Sequence, residues 1–258
     1  MTRDPDEGVD AYGVIGTGAA SDRISATHRP VVADCTAELQ EAFGDRLHSL
    51  YLYGSVATGQ ARPGTSDLDL IAVWTHDVNQ AEVDAVETTL SVRHAQVVRD
   101  VGISSASLAE VLADDRDGLG WRCFLRHYGV WLAGRDLRPD LPPCQASRVV
   151  ADAFNDDVQA LVRQWRTELV ETRSTSEVAA IARAAARKLL LVTATLESAE
   201  HGGWTTDRAT GAGLLATHHP EWAAVAELAI GWCADPGRPT SDDVQRMLEL
   251  GDWLANRS

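Results

Sequence analysis

The sequence predicts an α+β fold in two parts: a mixed sheet with helices, followed by an all-α helical bundle domain. Three observations carry that prediction. Short apolar runs alternate with helical segments between residues 47 and 134, the order of a mixed layer of strands and helices. The stretch LRPDLPP, with Pro139, Pro142 and Pro143, then punctuates the chain as a linker does. Beyond it no run reads as a strand, and apolar positions recur at helical spacing. The expected divisions are a flexible lead-in over 1–22, a first domain over 23–145 and a helical domain over 146–258.

Each element follows from its own residues. Residues 1–22, MTRDPDEGVDAYGVIGTGAASD, are acidic and Gly-rich and lack the basic start and apolar centre of a secretion signal. Residues 24–46 read as an amphipathic helix interrupted near Pro30. HSLYLYG is a strand ending at Gly54, and Ser55 to about Gly59 opens a helix, followed by a loop with Pro63 and Gly64. DLDLIAVW is the second strand. Val83, Val86 and Leu90 give residues 79–93 a helical spacing. HAQVVRDVGIS is expected as the third strand, 106–128 as a helix broken at Gly118 to Gly120, and GVWLAG as a last short strand. In the second part, 148–172 and 177–200 read as long helices, and EWAAVAELAIGWC and SDDVQRMLELGDWLA as two more, with Ser241 as N-cap of the last.

Composition narrows the function. No apolar run reaches the roughly 18 residues a membrane span requires. The net charge is -15 with no basic run, which disfavours a nucleic-acid partner and would attract a polycationic small molecule. Cys35, Cys123, Cys144 and Cys233 lie far apart without a CxxC pair, as expected of reduced thiols in a cytoplasm rather than a disulfide framework or zinc site. The eight histidines show no metal spacing. Asp152, Asp156 and Asp157 read as a solvated helix face, and Trp165, Trp204, Trp222 and Trp232 as core. The oligomeric state, monomer or dimer, stays open.

The chemistry concentrates in YGSVATGQARPGTSDLDLIAVW, residues 53–74. Side chains at i and i+2 on a strand point to one face, so Asp67 and Asp69 stand side by side. Two like charges that close repel, and a divalent cation resolves the repulsion. Oxygen-only ligands suit Mg²⁺ or Mn²⁺ rather than zinc. Gly54-Ser55, where a strand turns into a helix, presents backbone N–H groups and a hydroxyl to an anion such as a phosphate. Either motif alone is common on protein surfaces; the combination at this spacing is specific.

The pattern Gly54, Ser55, Gly59, then Ser66, Asp67, Asp69 resembles the DNA polymerase β-like nucleotidyltransferase superfamily. The resemblance implies a third carboxylate on a later strand, for which Asp100 in VVRDVGIS is the candidate, as metal ligand or as base; otherwise Asp100 is a surface residue at a strand end. The order of a nucleotidyltransferase domain, the GVWLAGRDL strand and a helical domain is similar to the streptomycin/spectinomycin adenylyltransferases. That resemblance implies Trp121 as a substrate-stacking residue, Glu177 as an acidic ligand of the acceptor, and Arg187 as a nucleotide contact. Arg208 stands where the family has a lysine, and Ala180 where it has an asparagine. Arg183 and Arg187 share a helix face at i,i+4, with Lys188 about 100° round; Lys188 is the single lysine among 23 basic residues. On the residues alone, Glu177 reads as a first-turn acid that complements the helix dipole, and Trp121 as a core residue.

The resemblance implies a Mg²⁺-dependent enzyme, with one or two ions, that transfers AMP from ATP to a hydroxyl of a small molecule of the streptomycin/spectinomycin type and releases pyrophosphate. Asp67, Asp69 and Asp100 would hold metal, and Gly54, Ser55, Ser66, Arg187, Lys188 and Arg208 the nucleotide. Other expectations are adenylylation of a protein, an unknown small-molecule acceptor, or a nucleotide-binding regulator without catalysis.

Overall fold

The structure is a computed structural model of the 258-residue chain and describes residues 4–155, 157–172 and 174–257. The chain divides into two compact units. One comprises residues 1–10 and 14–144, the other 11–13 and 145–258.

The first unit is built on a four-stranded sheet. After two short strands, β1 (Gly8–Val9) and β2 (Ile15–Gly16), come α1 (Arg29–Phe43), β3 (Leu47–Tyr53), α2 (Gly54–Ala57), β4 (Leu68–Trp74) and α3 (Gln80–His94). Then follow β5 (Val101–Ser107), α4 (Leu108–Leu112), α5 (Arg116–Tyr128) and β6 (Val130–Gly134). The strand order is β5-β4-β3-β6, with β4 and β5 parallel and the other pairs antiparallel. Helices cover both faces, so β3 and β4 are apolar on both, which explains their continuous apolar runs. On one face Leu68 and Leu70 pack with Val32, Cys35 and Leu39 of α1 and Val83 and Leu90 of α3. On the other, Tyr51, Ile71 and Val73 pack with Val111 of α4 and Leu125 of α5.

Several elements differ from the sequence expectation. Residues 4–22 are not a loose lead-in in this structure. β1 pairs antiparallel with β2, the Gly18 N–H donates to Asp4 at 2.7 Å, and Tyr128 Oη donates to the buried Glu7 at 2.7 Å. Pro30 does not interrupt a helix; it sits in the first turn of α1, where its missing N–H has no helical partner to lose. The third strand starts at Val101, not His94. Residues 95–97 form a turn, and Gly64 N–H donates to Val97 O at 2.8 Å. The break between α4 and α5 falls at 113–115 instead of Gly118 to Gly120. Asp115 caps α5 by accepting from Gly118 N–H at 2.8 Å, and a Cβ on Gly118 would meet Ala113 O at 2.2 Å.

The second unit is helical: α6 (Arg148–Phe154), α7 (Val158–Glu171), α8 (Thr175–Glu200), α9 (Arg208–His218), α10 (Ala223–Ala234) and α11 (Ser241–Ala255). The helix expected over 148–172 is two, because Asn155 leaves helical geometry and Asp157 caps α7 by accepting from Ala160 N–H. Asp152 pairs with Arg148, so neither aspartate is a merely solvated charge; Asp156 lies outside the described residues. Thr240, not Ser241, caps α11 through a capping box with Asp243. The axis of the unit is α8, whose Ala182, Ala185, Leu189, Val192 and Leu196 are all but fully buried. Trp165, Trp204 and Trp232 are buried in this unit. Among the described residues no helix is long and apolar enough to cross a membrane.

Candidate active site

The site is the turn that β3 makes against the start of β4. Tyr53, the last residue of β3, pairs with Asp69 in the antiparallel register. Gly54 then bends the chain into α2 with φ +72, a conformation that L side chains rarely adopt. A Cβ on Gly54 would lie 2.5 Å from Asp69 Oδ2. Glycine is therefore required twice, for the turn and for the close approach of backbone to carboxylate. The first N–H groups of α2 have no partner within the helix, as at any helix start. Gly54→Ala is expected to displace Asp69 and to lower the unfolding free energy by about 1–3 kcal/mol, which urea denaturation checks.

Asp67 and Asp69 lie on the sheet face that continues into Ile71 and Val73. Trp121 and Phe124 of α5 pack against the apolar cluster on that sheet face. The Tyr53 hydroxyl lies 3.3 Å from Ser104 Oγ, and burial together with the Asp69 charge pushes its ionisation up, so the group stays protonated. The Ser66 hydroxyl accepts from Arg62 N–H at 2.9 Å and closes the loop ahead of the aspartates.

Asp100 does not join the pair. β5 begins one residue later, and the parallel register places Gly102, not a carboxylate, opposite Asp69. The Asp100 carboxylate accepts from Ser91 Oγ of α3 at 2.5 Å and from Val101 N–H at 3.0 Å. Among the described residues no group of three or more His, Cys, Asp or Glu side chains is disposed to hold a metal ion, so the expected trio of Asp67, Asp69 and Asp100 is not assembled.

Two charged residues near the pair escaped the sequence reading. Arg99 closes on Asp67, donating from Nε to Oδ1 at 2.9 Å and from its terminal nitrogen to Oδ2. Glu87 of α3 accepts from Ile103 N–H at 2.8 Å on β5, and its charge contributes to the raised ionisation of Tyr53. Neither lies in a motif. Only the register of β5 beside β4 and the packing of α3 bring them there.

The donor set fits a hard divalent cation. Two carboxylates share one strand face, all their donor atoms are oxygen, and the side-chain-free Gly54 leaves room at Asp69 Oδ2. Mg²⁺ needs one or two carboxylates and takes its other ligands from water and phosphate.

In the helical unit, Arg183 and Arg187 are exposed along α8 and line an open groove with Ser176, Ala180 and Asp235. Arg183 donates to Ala234 O at 2.7 Å, and Arg208 Nε donates to Arg187 O at 2.7 Å. Burial, then the Arg187 charge, pushes the Arg208 ionisation down. The structure thus gathers Arg183, Arg187 and Arg208, while Lys188 is half-buried on another face of α8. Glu177 closes a capping box: it accepts from Ser174 N–H at 3.1 Å while Ser174 Oγ accepts from Glu177 N–H at 3.2 Å.

Residues 35–110, which carry the Gly54 turn and the aspartate pair, match the family model of the nucleotidyltransferase domain. Among solved structures, the crystal structure of spectinomycin adenyltransferase AAD(9) from Enterococcus faecialis with ATP and spectinomycin is similar in fold. The TM-score is 0.56 at 12% sequence identity, covering 88% of this chain and 98% of that one. No curated protein matches the chain.

Proposed function

We propose that the protein transfers AMP from ATP to a hydroxyl of an aminoglycoside-type small molecule, releasing pyrophosphate. The observation that carries the proposal is the Gly54 turn, set so close to Asp69 Oδ2 that a methyl group would not fit between them. Phosphates held by the backbone of the turn would lie beside Asp67 and Asp69, and Mg²⁺ held by those two carboxylates would supply the positive charge that lets the anions approach.

The chain's own residues do the rest. N–H groups at the start of α2 bind phosphate, and Gly54 lets it approach. Tyr53, kept protonated, offers an O–H beside Asp69. The acceptor hydroxyl loses its proton to water, its oxygen bonds to the α-phosphorus, and the bond from that phosphorus to the bridging oxygen breaks as pyrophosphate leaves. Such reactions depend on positioning and electrostatics more than on covalent help from the protein. Arg183, Arg187 and Arg208 form a cationic stripe suited to phosphate.

Three observations support an aminoglycoside-type acceptor: the likeness of fold to an enzyme solved with spectinomycin, the net charge of -15 that attracts polycations, and Trp121 on the sheet face that the aspartates share. Glu177, engaged in its cap, is the weaker acceptor contact. The test is pyrophosphate release from ATP and Mg²⁺ across a panel of aminoglycosides, spectinomycin and simple polyols, with the product's mass measured. The expected result is one pyrophosphate per acceptor that gains one AMP. Transfer only to a protein, or to polyols and no aminoglycoside, would replace this acceptor class.

A further inference from the structure

The chain that leads into β5 carries a cation to the aspartate pair. Arg99 N–H donates to Ser66 O at 3.0 Å and Leu68 N–H to Asp100 O at 2.9 Å, so residues 99–101 extend the parallel β4–β5 pairing alongside 66–68. From that position the Arg99 guanidinium meets both oxygens of Asp67 as a fork. Planar, bidentate pairing is the strongest arrangement open to an arginine and a carboxylate.

A divalent cation on Asp67 needs at least one of the same oxygens, and it would bring a like charge close to the guanidinium. The pair is also open to exchange. The Arg99 side chain is 58% exposed and that of Asp67 27%, so solvent screens the pair. With Gly102 opposite Asp69, β5 adds no carboxylate there to offset the competing charge. A metal accompanied by a triphosphate does offset it, because phosphate oxygens can take both the metal and a released guanidinium.

We propose that Arg99 holds Asp67 closed to metal in the nucleotide-free protein and gives it up when the metal arrives with a nucleotide, its guanidinium passing to a phosphate oxygen. Metal binding thereby becomes dependent on nucleotide, and the metal-free pair of aspartates is not left with uncompensated repulsion. The inference rests on Asp67 and Asp69 being metal ligands.

The experiment is direct binding of Mn²⁺, followed by the electron paramagnetic resonance of the free ion. It uses the full chain as wild type, Arg99→Gln, Arg99→Lys and Asp67→Asn, with and without α,β-methylene-ATP, each variant first shown to keep the wild-type circular dichroism. Without nucleotide, Arg99→Gln is expected to bind Mn²⁺ about three- to tenfold more tightly than wild type, with Arg99→Lys between them because an ammonium lacks the fork. With the analogue the order is expected to reverse, since Arg99→Gln has lost a phosphate contact. Unchanged or weaker Mn²⁺ binding by Arg99→Gln, while Asp67→Asn still abolishes binding, would overturn the role of Arg99 and leave the metal site standing. Full Mn²⁺ binding by Asp67→Asn would remove the metal site itself, and the inference with it.

Discussion

Asp69→Asn is expected to lower pyrophosphate release by about a thousandfold while leaving the fold intact. The amide keeps the shape of the side chain but loses the charge that a metal–phosphate complex requires, and electrostatic losses of several kcal/mol at a reacting phosphoryl group give effects of that order. Asp69 pairs with Tyr53 through backbone register, which asparagine does not disturb. Measuring turnover at saturating ATP and acceptor, with a melting curve on the same sample, separates chemistry from folding. Undiminished turnover would remove Asp69 from the mechanism.

The second large effect concerns the helical unit. Arg257→Ala is expected to destabilise the protein by about 3–5 kcal/mol, because it leaves a buried carboxylate without its cation. Glu197 of α8 is fully buried, and Arg257 donates to its Oε1 at 2.5 Å; the other oxygen, Oε2, has no hydrogen-bond partner among the described residues. Arg257 also pairs with Glu200 and lies 4.5 Å from the centre of the Trp253 ring, tying the end of α11 to the end of α8. His219 approaches the same Glu197 oxygen at 3.4 Å and is too far for a strong replacement bond. Urea denaturation measures the loss. Adding Glu197→Gln to Arg257→Ala should recover part of it, since a neutral amide is cheaper to bury unpaired than a charge. A midpoint for Arg257→Ala equal to that of wild type would contradict the account.

Legibility in the sequence followed burial. β3 and β4 are sandwiched between helices, so their residues are apolar on both faces and their runs are plain to see. β5 is an edge strand whose VGISSAS carries small and polar residues. HAQVV before it is apolar enough to imitate a strand, yet residues 95–97 form a turn and Val98 is buried. That shift explains why Asp100 looked like a catalytic carboxylate. From sequence it lies on a strand, whereas in the structure it precedes one and bonds Ser91. The Gly54, Asp67 and Asp69 constellation was visible because its spacing is local. Arg99 and Glu87 were not, because what brings them near is the pairing of β5 beside β4 and the packing of α3. The Glu177 cap was readable in principle, since Ser174 and Glu177 have capping-box spacing.

The most direct test of nucleotidyl transfer uses two labels in parallel reactions with Mg²⁺ and an aminoglycoside acceptor. ATP carries radioactive phosphorus at the α position in one and at the γ position in the other. The account predicts that α-label enters the acceptor, that γ-label appears only in pyrophosphate, and that Asp69→Asn lowers both about a thousandfold. Transfer of γ-label to the acceptor would mean phosphoryl rather than nucleotidyl transfer, and would contradict the account at its centre.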